Sequence, residues 1–210
     1  MSQAIAEAGG DIKLLADSVV GQDRQDILNL MLCAELSASK KYNKNEQTSQ
    51  WMNHYQKRLV EYACTLEAFI APSVTSVSNV QSFRELKFEI VGATGSQAFI
   101  AHAKASFAAL QINKRAMDFF GGYSGRERTV TVNISSCELT ESGGVLILFC
   151  GIQFSSSIEV ETFFLGGETY YDVIIRSNGG AFLFDRAKYA THRDEVLRKL
   201  KEATSGIFKP

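Results

Sequence analysis

Proline is almost missing from this chain: there are two in 210 residues, Pro72 and Pro210. That excludes a polyproline linker or a proline-rich recognition segment. Cysteine is sparse as well. Cys33, Cys64, Cys137 and Cys150 are scattered, with no C-x-x-C pair, which excludes a zinc ribbon, a thioredoxin-type motif and a disulfide-dense scaffold. An excess of one charge is missing, because 22 Lys and Arg stand against 23 Asp and Glu for a formal net charge of -1. No global field therefore attracts nucleic acid, and no nucleic-acid partner is expected. No apolar run approaches the ~18 residues of a membrane-spanning helix. Met1 to Gly10 lacks the basic start and continuous apolar stretch of a signal peptide. The expected setting is cytoplasmic by default, with secretion by a route that needs no cleaved signal left open.

What the chain does have is glycine pairs set between β-rich runs. Gly143-Gly144, Gly166-Gly167 and Gly179-Gly180 are flanked by Val, Ile, Phe, Tyr and Thr, which reads as two-residue hairpin turns in an antiparallel meander. Strands are expected at 128–139, 145–154, 158–165, 168–176 and 181–184, with one more at 83–91. Residues 145–150 are apolar at every position, so that strand should be central and covered on both faces. Helices are expected at 3–20 (weak, broken near Gly9-Gly10), 23–41, 46–71, 96–119 and 186–203. In the third of these by order, Trp51, Tyr55, Leu59, Tyr62, Leu66 and Phe69 recur at spacings of four and three as one stripe, with Pro72 ending the helix. Asp185 should cap the closing helix, with Val196, Leu197 and Leu200 inward. The fold class is α+β: an N-terminal helical hairpin, then a mostly antiparallel sheet with packed helices, ending in an amphipathic helix. Residues 1–72 form the helical subdomain and 73–210 the sheet with helices 96–119 and 186–203, together one cooperative domain.

Candidate chemistry is thin. Gly92-Ala-Thr-Gly95-Ser-Gln-Ala98 resembles the glycine turn of some dinucleotide-binding proteins, where backbone N–H groups approach a pyrophosphate. The acidic second strand that should follow is replaced by Asn113 to Asp118 inside a helix, so the segment reads as a strand-to-helix turn. A hairpin at Gly166-Gly167 sets Glu161 opposite Asp172, with Glu159 on the same face. Opposed carboxylates need compensation or a ligand, and Arg176 is a candidate neighbour. Glu35 falls on the apolar side of its helix amid Leu28, Met31 and Ala38, and a buried carboxylate must be neutralised or paired, with Lys57 or Arg58 as the expected partner. His54, His102 and His192 sit on separate helices without metal-ligand spacing, so no metal and no cofactor are expected. The basic residues of the closing helix are interleaved with Asp194, Glu195 and Glu202 and read as a solvated face.

Three functional readings follow, in this order. The first is a non-enzymatic binding or interaction protein that uses a sheet face or an apolar pocket for a protein or a small apolar ligand, with Glu159, Glu161, Tyr170, Asp172 and Glu35 as its candidate residues and with Tyr171, Phe182 and Phe184 as further aromatic supply. The second is a secreted membrane-acting toxin or virulence factor, because residues 129–135 and 158–163 alternate polar with apolar as pore-lining strands do. The third is a small enzyme using the glycine turn 92–98 or the acidic sheet face. The absence of a catalytic motif weighs against it. Calorimetry with NAD(P) and with ATP is accordingly expected to give no heat, and a micromolar dissociation constant for either would restore the enzyme reading.

Overall fold

The computed structural model describes residues 3–8, 11–77, 90–92, 129–140, 142–156 and 173–207. Its strands are β1 (Gln3–Ala8), β2 (Asp11–Ala16), β3 (Cys64–Val77), β4 (Ile90–Gly92), β5 (Thr129–Leu139), β6 (Val145–Ser156) and β7 (Val173–Phe184). Its helices are α1 (Gly21–Lys41), α2 (Thr48–Tyr62) and α3 (Arg186–Ile207). The strands form one sheet in the order β1-β2-β5-β6-β7-β3-β4. β2 joins β5 parallel, and every other pairing among these strands is antiparallel. The class is α+β, as expected from the sequence.

β6 occupies the middle of this order, and every residue from Val145 to Cys150 is buried. Its continuous apolar run thus has the physical cause inferred for it, shielding on both faces. On one face Val145, Ile147 and Phe149 meet Phe182 of β7 and the helical layer, where Leu30, Met31, Trp51, Tyr55 and Leu59 complete the core. Tyr55 stacks on Phe149 with ring centroids 4.4 Å apart, and Trp51 stacks on Tyr55 at 5.4 Å. Gly151 lets α2 approach: a Cβ there would lie 2.3 Å from the Met52 methyl.

Several expectations fail, each for a readable reason. Residues 3–8 and 11–16 are two antiparallel strands, not a helix, with Ala8 facing Asp11. Their alanines favour helix locally, but pairing of β2 along β5 overrides that preference. The N-terminal segment up to Pro72 is therefore not wholly helical. The helix expected over 46–71 stops at Tyr62, and β3 begins at Cys64. Trp51, Tyr55, Leu59 and Tyr62 are buried as the stripe requires, but Leu66 and Phe69 lie on a strand and are 45% and 40% exposed. Their spacing continues the helical stripe only by coincidence. Pro72 does not end a helix; it sits in β3 where the pairing with β7 skips between Ile70 and Ser73, a place where its missing N–H costs no ladder bond.

Gly179-Gly180 is not a turn either. It lies inside β7, one strand where two were expected at 168–176 and 181–184. A Cβ on Gly179 would come within 2.1 Å of the Phe149 carbonyl oxygen, so close strand approach is what demands glycine there. Gly143 does serve a turn, with φ 79°, but the loop has three residues between Thr140 and Gly144, closed by Thr140 N–H donating to Gly144 O at 2.7 Å. β5 and β6 pair Ile134 with Cys150 and Cys137 with Ile147. The two cysteines therefore point to opposite faces and, like Cys33 and Cys64, are free and buried. Burial pushes the Cys137 and Cys150 thiols up to about 12. Asp185 caps α3 as expected, accepting from the Lys188 N–H at 2.9 Å. Val196 is buried and Leu200 partly so, whereas Leu197 points outward. The expected strand 158–165, the glycine pair 166–167 and helix 96–119 lie outside the described residues, as does all of the strand 83–91 before Ile90.

Leu59 is fully buried between α2 and the sheet. Replacing it with alanine is expected to lower unfolding stability by about 2–5 kcal/mol, read from denaturant titration. A loss below half a unit would reject this account of the core.

Candidate functional site

The helical layer is tied to the sheet by polar groups placed at its seams. Glu35 of α1 is buried, as the helical wheel indicates, but its partner is neither Lys57 nor Arg58. Lys13 of β2 reaches it with Nζ 3.1 Å from Oε2, and both side chains are almost closed off from solvent. Arg58 instead donates from Nε to Ser37 Oγ at 3.1 Å and pairs with Glu61 at 2.7 Å. The sequence reading missed Lys13 because it placed that residue on a helix. Breaking such a buried pair strands a charge away from water.

At the α1–α2 turn a second seam forms over β5 and β6. Gln153 donates to Thr48 Oγ1 at 2.5 Å and to the Asn45 carbonyl at 2.9 Å. Among the described residues β2 pairs with β5 from Asn133 onward, and the Thr131 amide donates to Asn45 Oδ1 at 3.1 Å. Gln56 and Asn53 of α2 meet Asn178 of β7. Arg193 and Arg186 of α3 grip Asp26 and Asp23 of α1 at 2.6 and 2.7 Å, so two of the cations read as a solvated face act as staples between helices.

Beneath this layer β5 presents Thr131, Asn133 and Ser135, all buried. Asn133 is 0% exposed, and neither its Oδ1 nor its Nδ2 finds a hydrogen-bond partner among the described residues. An unsatisfied buried amide costs about 1–3 kcal/mol. Asn133 is thus an unsatisfied amide under the helical layer, as Ser136 Oγ and Tyr189 Oη are unsatisfied groups elsewhere in the described core.

The helices also border two grooves. One, of about 400 Å³, lies between α1, α2 and α3, with Cys33, Leu36 and Leu200 as its apolar lining and Lys40, Arg58 and Lys199 as cations. Lys199 is bound by Tyr62 Oη and by Glu195, the latter at 2.6 Å. The other, of about 660 Å³, runs along α2 to β3 and is lined by Lys41, His54, Lys57 and Arg58 together with Val60 and Leu66. His54 Nε2 lies 3.1 Å from Ser37 Oγ. Its pKa is lowered, first by desolvation and then by the charges of Arg58, Lys41 and Lys57. His192 stands edge-on to Tyr62 with centroids 5.5 Å apart.

Other expected site residues are not brought together here. Glu159, Glu161, Tyr170, Tyr171 and Asp172 lie outside the described residues, as do His102 and residues 93–98 of the glycine turn; Gly92 ends β4. Phe182 and Phe184, expected to supply a binding surface, belong to the core. Among the described residues no group of three His, Cys, Asp or Glu could hold a metal ion, and no helix is long and apolar enough to cross a membrane.

No family model and no curated protein matches the chain. Among solved structures it is similar to one titled as the Evf virulence factor, at 10% identity and a TM-score of 0.40, covering 90% of this chain and 76% of that one. It is also similar to one titled delta-endotoxin, at 10% identity and a TM-score of 0.48, covering 87% and 86%.

His54 is expected to stay neutral at pH 7 and to titrate below the usual ~6.5. A group with a depressed folded pKa weakens the fold as pH falls below its unfolded value, because the unfolded chain takes up the proton first. NMR titration should show the low midpoint, and Lys57→Met should raise it. A midpoint at or above the ordinary histidine value contradicts the positive field assigned to this groove.

Proposed function

We propose that the protein acts on membranes, as a secreted toxin or virulence factor does, through the strands that its helices cover. The observation that supports this is the buried polar row of β5. Thr131, Asn133 and Ser135 alternate in sequence with Val130, Val132 and Ile134, and the polar members are shut under the helical layer. In a water-filled lumen the same alternation would hydrate Asn133 and turn the apolar positions toward lipid. Strand length agrees. β3, β5, β6 and β7 have 14, 11, 12 and 12 residues, where about 9–11 suffice to span a bilayer and about 5–6 are usual in globular proteins.

A second reading, a non-enzymatic binding protein, is favoured by the groove between α1, α2 and α3. It sets Cys33, Leu36 and Leu200 beside Lys40, Arg58, Lys199 and Glu202, a mixed lining that suits a small amphipathic ligand with a charged group.

Dye release from lipid vesicles tests the first reading. The wild-type chain is expected to release dye. Asn133→Leu, nearly the same shape without the amide, should stabilise the fold by roughly 1–3 kcal/mol while cutting release at least tenfold. No release under any lipid composition, or unchanged release from a stabilised variant, contradicts the reading.

A further inference from the structure

We infer that the groove along α2 is a docking surface for a leaflet rich in anionic phospholipid; this rests on the membrane reading above and names the surface that reading leaves unspecified. The chain as a whole carries a net charge of -1, so a concentrated positive patch is a local arrangement. Lys41 from the end of α1 and Lys57 and Arg58 from α2 border one groove because the two helices run antiparallel. The acid beside them in the groove lining, Glu61, is engaged by Arg58. Lys41 and Lys57 have no carboxylate partner among the described residues, and both are exposed. The pKa of His54, in the same groove lining, is lowered first by burial and then by all three cations.

Charge alone would suit any polyanion. What favours a lipid surface is the apolar material in the same groove. Val60 and Leu66 are 38% and 45% exposed there, beside the cations. Cations over phosphate headgroups with neighbouring aliphatic side chains dipping into the acyl boundary is the interfacial pattern. Nucleic acid offers the phosphates without an apolar layer for Val60 and Leu66 to enter. The ligand chemistry is therefore a sheet of phosphate monoanions above hydrocarbon.

Flotation with vesicles of phosphatidylcholine, with and without phosphatidylserine, tests this on the full chain. Binding should require phosphatidylserine and weaken as salt rises toward ~0.15 M. Each lysine near such a surface is worth about fivefold in binding, so Lys41→Gln with Lys57→Gln should lower it by roughly 25-fold. Both positions are exposed, and an unchanged melting temperature will show that the variant folds. Leu66→Ser should weaken binding without changing its salt dependence. Equal binding to vesicles lacking phosphatidylserine, full binding by the double variant, or tighter binding to a short DNA duplex than to the anionic vesicles would each overturn the proposal. Dye release read in the same samples keeps the two claims separate. Docking without release leaves the groove assignment standing and removes the pore reading. Release that ignores both lysines and phosphatidylserine does the reverse.

Discussion

The stack of Trp51 on Tyr55 on Phe149 holds the two layers of this protein together. Two rings come from α2 and the third from the central strand, so the contact fixes both the height of the helix above the sheet and its position along β6. Aromatic pairs of this kind add about 0.5–1.5 kcal/mol beyond the area they bury. Gly151 lies two residues beyond Phe149 on the same face and leaves the hollow into which Met52 settles. The side chain that anchors and the side chain that is absent work as one joint.

Around that joint the apolar core continues through Leu30, Met31, Leu59, Ile147 and Phe182, and polar contacts join the layers as well. Lys13 with Glu35, Thr48 and Asn45 with Thr131 and Gln153, and Asn178 with Asn53 and Gln56 each link a helix or the α1–α2 turn to a strand. Such links are directional and specify register, yet their net contribution is modest because water can replace them. The same seams set Asn133 beneath the helices without giving its amide a partner among the described residues.

The sequence was most legible where local and tertiary preferences agree. β5, β6, α1 and the start of α3 fall close to their expected limits, since β-branched runs, the all-apolar 145–150 segment and the Asp185 cap each point one way. It was misleading where they conflict. Ala4, Ala6 and Ala8 favour a helix, but they pair with β2, which is itself held as a strand by β5 far along the chain. Leu66 and Phe69 prolong a helical stripe that ends at Tyr62. Glu35 was legible as a buried acid because the wheel depends on its own helix alone. Its partner was not, because Lys13 sits on a strand read as helix. The groove cations were hidden for a related reason: Lys41 and Lys57 belong to different helices and become neighbours only when the hairpin closes.

The parallel pairing of β2 with β5 also governs the order of events during synthesis. Asp11 must find Asn133, and Leu15 must find Cys137, so β2 waits for its partner until more than a hundred further residues have been made. Contacts so distant in sequence are slow to form, and an early hairpin with an unpaired flank is open to pairing with other copies meanwhile. The α1–α2 hairpin, built from neighbours in sequence, can assemble first and sequester Glu35 from solvent only in part until Lys13 arrives. Completion of the sheet is therefore the step that fixes Lys13 beside Glu35, and a nascent chain halted before β5 would leave β2 without its parallel partner.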